Sequence, residues 1–175
     1  HCGADCDAIL RSLSTFGGVG RRMELKGISR GITVVDDYAH HPTEIQASLR
    51  AIGEAYEPQR LWVVFQPHQH SRTRLMMEDF AMSFGLADVT LVPDIYFVRD
   101  SEAEKQAVSS EDMVSEIRRA GGDARYLQTF DEIAEVLEAE LRPGDCLVTM
   151  GAGSVYQVAD QMLARLSRKA GTAGG

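Results

Sequence analysis

The sequence predicts an α/β fold: a mostly parallel sheet with helices on both faces, preceded by a short β-hairpin. Three observations carry this. Unbroken apolar runs stand at Leu61–Phe65, Val89–Val92 and Cys146–Met150. A strand with one wet face would alternate polar and apolar residues, so unbroken runs imply burial on both faces. Between the runs, apolar residues recur at helical spacing, as in Ile45, Leu49 and Ile52, then Met76, Phe80 and Phe84. Strand and helix therefore alternate, which is the order that builds a parallel sheet. At 175 residues the chain can form one such domain around a sizeable core.

The elements follow in order. Residues 5–15 read as a helix with Ile9, Leu10 and Leu13 turned inward. Gly17-Gly18-Val19-Gly20 then breaks the pattern and reads as a hinge. Strand candidates at 23–28 and 32–36 are joined by a turn containing Arg30-Gly31. Pro42 suits the first turn of the next helix, where a missing N–H costs nothing. Residues 96–110 are polar and aperiodic, which predicts a long loop. Residues 111–120 predict a helix, acidic early, with Arg118 and Arg119 late and Gly121 beyond, an order that suits the helix dipole. Thr129 and Glu132 have capping-box spacing ahead of Ile133, Val136 and Leu137, and Pro143-Gly144 ends that helix. Gly151-Ala152-Gly153 leads from the last strand into a final helix with Val155, Val158 and Met162 inward. The small, polar tail at 169–175 is expected to be disordered.

Composition narrows the function. The formal net charge of -8 argues against nonspecific nucleic-acid binding, which needs a basic surface. No stretch approaches the roughly 20 apolar residues that span a bilayer. The three cysteines, Cys2, Cys6 and Cys146, are sparse and lack framework spacing, so reduced thiols and a cytoplasmic location are expected. Cys2 and Cys6 have the i,i+4 spacing of helical metal ligands but no further Cys nearby. The chain does not begin with Met, and an excised piece of a longer protein is expected.

In an open parallel sheet, ligands bind beyond the carboxyl ends of the strands. That rule selects residues 37–42, 66–73, 93–96 and 151–154. The densest of these is Asp36-Asp37-Tyr38-Ala39-His40-His41-Pro42-Thr43-Glu44, which joins a strand end to a helix start, where backbone N–H groups favour anions. It also serves as an ordinary capped helix start. The second is Gln66-Pro67-His68-Gln69-His70-Ser71-Arg72-Thr73-Arg74. Arg72 offers a planar fork for carboxylate or phosphate, or a solvated helix-start arginine. His68 and His70 with no carboxylate make a weak metal pair, and no metal site is assigned. Arg21-Arg22 reads as a pair facing water, and Gly151-Ala152-Gly153 as a tight strand-to-helix turn that lets a ligand approach. No GxxxxGK[ST] is present, so this chain carries no P-loop for ATP phosphates.

Together these pieces resemble the C-terminal domain of the Mur ligases. The matching segments are Gly20-Arg21-Arg22-Met23-Glu24, Val35 through Glu44 with its Asp-Asp-Tyr-Ala-His-His-Pro core, Phe65-Gln66-Pro67-His68 with Ser71-Arg72-Thr73, Asp94-Ile95-Tyr96 and Gly151-Ala152-Gly153. They span about residues 7–166; the Asp-Asp-Tyr-Ala-His-His-Pro motif is the specific one and the others support it. The resemblance implies a Rossmann-like domain at 17–168, with residues 1–16 as the end of a central ATPase domain. It implies an ATP- and Mg2+-dependent ligase joining L-alanine to UDP-N-acetylmuramic acid through an acyl phosphate, with N-terminal and central domains elsewhere in the same chain. Magnesium ligands are then expected mainly in the central domain, and this fragment alone is expected to be inactive. The resemblance places Arg22 at the terminal phosphate of ATP, Asp37 at the ribose and Tyr38 near the adenine. It places His40, His68 and Arg72 towards the amino acid and the acyl phosphate, with Gln69, Ser71 and Gly151 also in the substrate region. Where the family usually has Pro-His-Arg-Tyr or Pro-His-Arg-Phe, this chain has Pro67-His68-Gln69-His70, so Gln69 replaces an arginine thought to help hold the amino acid. Alternatives are the related ligase that attaches murein tripeptide to the same sugar nucleotide, and a non-catalytic nucleotide-binding module.

Overall fold

The computed structural model describes residues 3, 5–15 and 18–171. Its six-stranded sheet has the order β1-β2-β6-β3-β4-β5. A first helix, α1 (Cys6–Ser14), precedes an antiparallel hairpin of β1 (Glu24–Ser29) and β2 (Ile32–Asp37). All other pairings in the sheet are parallel. The hairpin turn places Arg30 at φ 53 and Gly31 at φ 74, two consecutive left-handed residues, which matches the right-handed twist of the flanking strands.

Helix α2 (Pro42–Tyr56) follows β2, and α3 (His70–Leu75) and α4 (Met77–Ser83) follow β3 (Leu61–Phe65). After β4 (Val89–Val92) come α5 (Glu102–Gln106) and α6 (Ser110–Arg119). After β5 (Ala124–Tyr126) come α7 (Phe130–Glu140), β6 (Cys146–Met150) and α8 (Tyr156–Gly171). Alternate residues of each central strand enter opposite cores. Val35, Val63, Phe65, Val148 and Met150 pack with α2, α4 and α6. Val34, Trp62, Val64 and Leu147 pack with α7 and α8. This two-sided burial is why the strands are unbroken apolar runs.

The fold agrees with the predicted class and differs from the predicted elements in five places. The segment 96–110 is not all loop: it contains α5, which starts at a Ser101–Glu104 capping box and buries no residue. A helix with no buried stripe leaves no apolar period to read. The three-residue strand β5 was too short for a periodic signal. The single helix expected around Met76, Phe80 and Phe84 is two, broken at Met76, whose φ of -117 is non-helical. In α1, Ile9 and Leu10 are exposed rather than turned inward, and the side chain of Leu13 lies outside the described residues. Helix α8 continues to Gly171, so the expected tail is helical at its start, while 172–175 lie outside the described residues.

Candidate functional site

β6 lies between β2 and β3. The chain leaves β2 and β3 towards the α2/α4 face but leaves β6 towards the α8 face. Such a divergence opens a crevice at the carboxyl ends of the strands. Three backbones meet there. The N–H of Gly151 donates to the Asp37 carbonyl at 3.2 Å, and the N–H of Gln66 donates to the Met150 carbonyl at 3.0 Å. Gly151 has φ 142, and a Cβ on it would stand 2.7 Å from the Gln66 carbonyl oxygen. A Cβ on Gly153 would meet the Gln66 side chain at 2.6 Å and the Tyr96 ring at 3.2 Å. The glycine turn is therefore a packing requirement of the crevice floor.

The two arginines at its rim differ, which corrects the reading of both as facing water. Arg21 is a half-buried clamp. Its Nε donates to Asp36 Oδ2 at 2.9 Å, and its terminal nitrogens donate to the carbonyls of Gly153 at 3.1 Å and Gly151 at 2.7 Å. Its guanidinium also lies over the rings of Tyr38 and Tyr156. Arg22 is exposed, touches the Tyr38 ring at 5.5 Å and makes no side-chain hydrogen bond or ion pair among the described residues.

The paired aspartates are inward. Asp36 is buried and also accepts from the Thr149 hydroxyl at 2.6 Å. Asp37 is only 3% exposed and accepts from the N–H of Met23 at 3.0 Å, the N–H of Ala39 at 2.7 Å and the Ser48 hydroxyl at 3.2 Å. These bonds fix the path of the 37–40 segment. The geometry supports a direct ribose contact by Asp37 less than a positioning role.

From Arg22 the site continues through Tyr38 to His40, whose ring meets Tyr38 edge-on at 5.3 Å. His40 Nδ1 donates to the Tyr38 carbonyl at 3.0 Å, which leaves Nε2 as an acceptor in the neutral ring. Glu44 lies beneath. Burial pushes its pKa up, but the backbone N–H groups of His40 and His41 and the charges of His40 and Arg22 hold it below the usual value. His41 caps α2, with Nδ1 accepting from the N–H of Thr43. His68 comes next. Its pKa is held below 6.5, mainly by burial, then by the charges of Arg72 and His40. Its Nδ1 is buried without a hydrogen-bond partner among the described residues. Arg72 is half-buried and, like Arg22, makes no side-chain hydrogen bond or ion pair among the described residues.

Gln69, His70 and Ser71 face the 94–100 segment. The Gln69 amide donates to the Val98 carbonyl at 3.4 Å. The carboxylate of Asp100 accepts from the N–H of His70 at 2.6 Å and from the Ser71 hydroxyl at 2.7 Å. Sequence reasoning missed Asp100 and the clamping role of Arg21. Asp100 sits in an aperiodic stretch about thirty residues from its partners, and no local pattern marks it.

The crevice thus presents two guanidinium groups, uncommitted among the described residues, at either end of a Tyr38–His40–His68 row. That donor set fits an anion such as phosphate or carboxylate. It does not fit a divalent metal: Asp36 and Asp37 are consumed internally, and no cluster of three metal donors exists among the described residues. The thiol of Cys146 is pushed up to about 12 by burial.

The profile of the family described as Mur ligase, glutamate ligase domain, matches residues 21–153. The UDP-N-acetylmuramate–L-alanine ligase of Geobacter sp. (strain M21) is 47% identical over 161 residues, covering 91% of this chain and 34% of that protein. This chain spans about a third of the length of the curated relatives it matches. The UDP-N-acetylmuramate-alanine ligase structure from Thermotoga maritima aligns with a TM-score of 0.76 at 25% identity, covering 95% of this chain and 34% of that one. A murein peptide ligase from Psychrobacter arcticus 273-4 aligns with a TM-score of 0.71 at 28% identity, covering 89% of this chain and 32% of that one.

Proposed function

The chain belongs to the Mur ligase family, and on that premise we propose that it is the C-terminal domain of an ATP-dependent ligase joining L-alanine to UDP-N-acetylmuramic acid in peptidoglycan synthesis. The observation that carries this reading is the row from Arg22 to Arg72, with a guanidinium at each end that makes no side-chain hydrogen bond or ion pair among the described residues, and the Tyr38, His40 and His68 rings between. In the proposed division, residues 1–16 end a central ATPase domain and 17–168 form the ligase domain. A cytoplasmic location follows from the proposed substrates, and no described helix is long and apolar enough to cross a membrane.

ATP supplies the phosphoryl group that activates the muramyl carboxylate as an acyl phosphate. The residues of this chain then bind and orient. Arg22, braced on the Tyr38 ring, meets the phosphate, and Tyr38 offers a face to the adenine. Arg72 takes the carboxylate of the amino acid through its planar fork. His40 and His68 offer imidazole nitrogens to the incoming amine, which must be neutral to attack. As charge builds on the tetrahedral and phosphate oxygens, the Arg22 guanidinium stabilises it. Holding the amine against the acyl phosphate replaces a bimolecular encounter with an oriented one. Magnesium is assigned to residues outside this chain.

The second reading, attachment of a murein tripeptide to the same sugar nucleotide, is favoured by the 28% identity to the murein peptide ligase and by Gln69 in place of the family's arginine. An amino-acid panel separates the two. The full-length protein, supplied with ATP, Mg2+ and UDP-N-acetylmuramic acid, is expected to release phosphate with L-alanine and far less with the tripeptide. The opposite preference would establish the second reading.

A further inference from the structure

We propose that Asp100 is the positioning residue of the amino-acid subsite, acting on Arg72 and His68 through the first turn of α3. The inference rests on the ligase reading above. Helix α3 starts without a cap of its own: Gln69, the residue before it, makes no side-chain capping bond. Gln69 also adopts φ 70 and ψ 128, a strained backbone for a residue with a side chain, which persists only where its surroundings impose it. Those surroundings are the segment 94–100. The N–H of Tyr96 donates to the Pro67 carbonyl at 2.8 Å, and the N–H of Gln69 donates to the Tyr96 carbonyl at 3.2 Å. The rings of His68 and Tyr96 stack at 5.5 Å.

Asp100 closes this zipper. Its side chain is 0% exposed. Oδ2 accepts from the N–H of His70 at 2.6 Å and lies 3.3 Å from His70 Nδ1. Oδ1 accepts from the N–H of Ser71 at 3.2 Å and the Ser71 hydroxyl at 2.7 Å. Burial pushes the pKa of Asp100 up, but the bonds from Ser71 and His70 outweigh it and hold the group below the usual carboxylate range. One carboxylate thus caps a six-residue helix from outside. A helix so short does not persist without tertiary support. Arg72 is its third residue and His68 lies two positions before it, so both side chains are aimed by what Asp100 holds. Arg22 and Tyr38 sit on the other side of the crevice, braced by the Arg21–Asp36 clamp, and are independent of this network.

The asymmetry gives a readout that a purely structural role would not produce. In the full-length ligase, Asp100→Asn keeps one acceptor oxygen but turns an NH2 group towards donors. We expect the KM for L-alanine to rise roughly tenfold or more, as for the loss of a charge-assisted contact, with the KM for ATP within about twofold. Ser71→Ala removes one hydroxyl and leaves both backbone donors, and it should raise the same KM by less, about threefold. The double variant should fall short of the product of the two effects because both act on one network. If Asp100→Asn is too unstable to assay, Ser71→Ala carries the test. An unchanged KM for L-alanine, or an equal rise for both substrates, overturns the proposal. If the wild-type protein rejects L-alanine, the ligase assignment fails instead, and the same comparison with the accepted amine still decides the role of Asp100.

Discussion

Arg21 and Arg22 are neighbours of identical chemistry, yet one is consumed by the fold and the other is left for a ligand. Arg21→Ala would strand the buried Asp36 carboxylate with only the Thr149 hydroxyl, and breaking such a pair from one side costs about 3–5 kcal/mol. Arg22→Ala should leave stability within roughly 0.5 kcal/mol, as for other exposed positions. In the full-length protein it should slow ligation roughly 10- to 150-fold. Denaturant melts beside steady-state rates check both, and equal effects on the two quantities would contradict the assignment. Sequence alone treats the pair alike because facing is set by φ, and Arg21 takes a left-handed φ of 59. His68 makes a second residue-scale prediction. Its pKa is lowered from 6.5 on folding, so below 6.5 the unfolded chain binds a proton that the folded chain refuses. Stability should therefore fall as pH drops from 6.5 towards the folded value, and His68→Gln should flatten that slope. The lowered carboxyls of Glu44 and Asp100 begin to lose their contributions only as pH falls below their ordinary values of 4.5 and 3.8. A slope unchanged by His68→Gln would show that another group carries it.

At the scale of elements, what was legible was what repeats. The core strands are unbroken apolar runs, and α2, α6 and α7 carry both a buried stripe and start signals in the sequence. Elements that bury little, such as α5, or are very short, such as β5, escaped because their placement depends on neighbours distant in sequence. The same holds within the site. The Asp36–Glu44 cluster was visible as dense polar chemistry, whereas residues 97–100 acquire meaning only when Val98 and Asp100 meet residues 69–71. Local signals also carry local energies. Thr129 accepts from the N–H of Glu132 while the Glu132 carboxylate accepts from the N–H of Thr129. Thr129→Ala should cost about 0.5–2 kcal/mol. Leu147→Ala, within the fully buried β6, should cost about 2–5 kcal/mol. Chemical denaturation of the two variants checks the ranking, and a Thr129→Ala loss as large as that of Leu147→Ala would mean that α7 depends on its cap more than on its packing.

The whole molecule is a sheet whose central strand sends its helix to one face while the strands on either side send theirs to the other. That divergence makes the crevice, and the crevice collects residues from three strand ends that are far apart in sequence. One wall holds Arg22 and Tyr38, the other His68 and Arg72, with the glycine turn between. The central claim is that this crevice orients an amino acid against an activated carboxylate. Its most direct test is the KM for L-alanine of the full-length protein, measured for wild type and Arg72→Ala with ATP and UDP-N-acetylmuramic acid saturating. The account predicts ligation by the wild type and a KM roughly 10- to 150-fold higher in the variant, with a smaller change in kcat, since a carboxylate contact is similar in ground and transition states. A wild type that does not ligate L-alanine, or an Arg72→Ala variant with the wild-type KM, would contradict it.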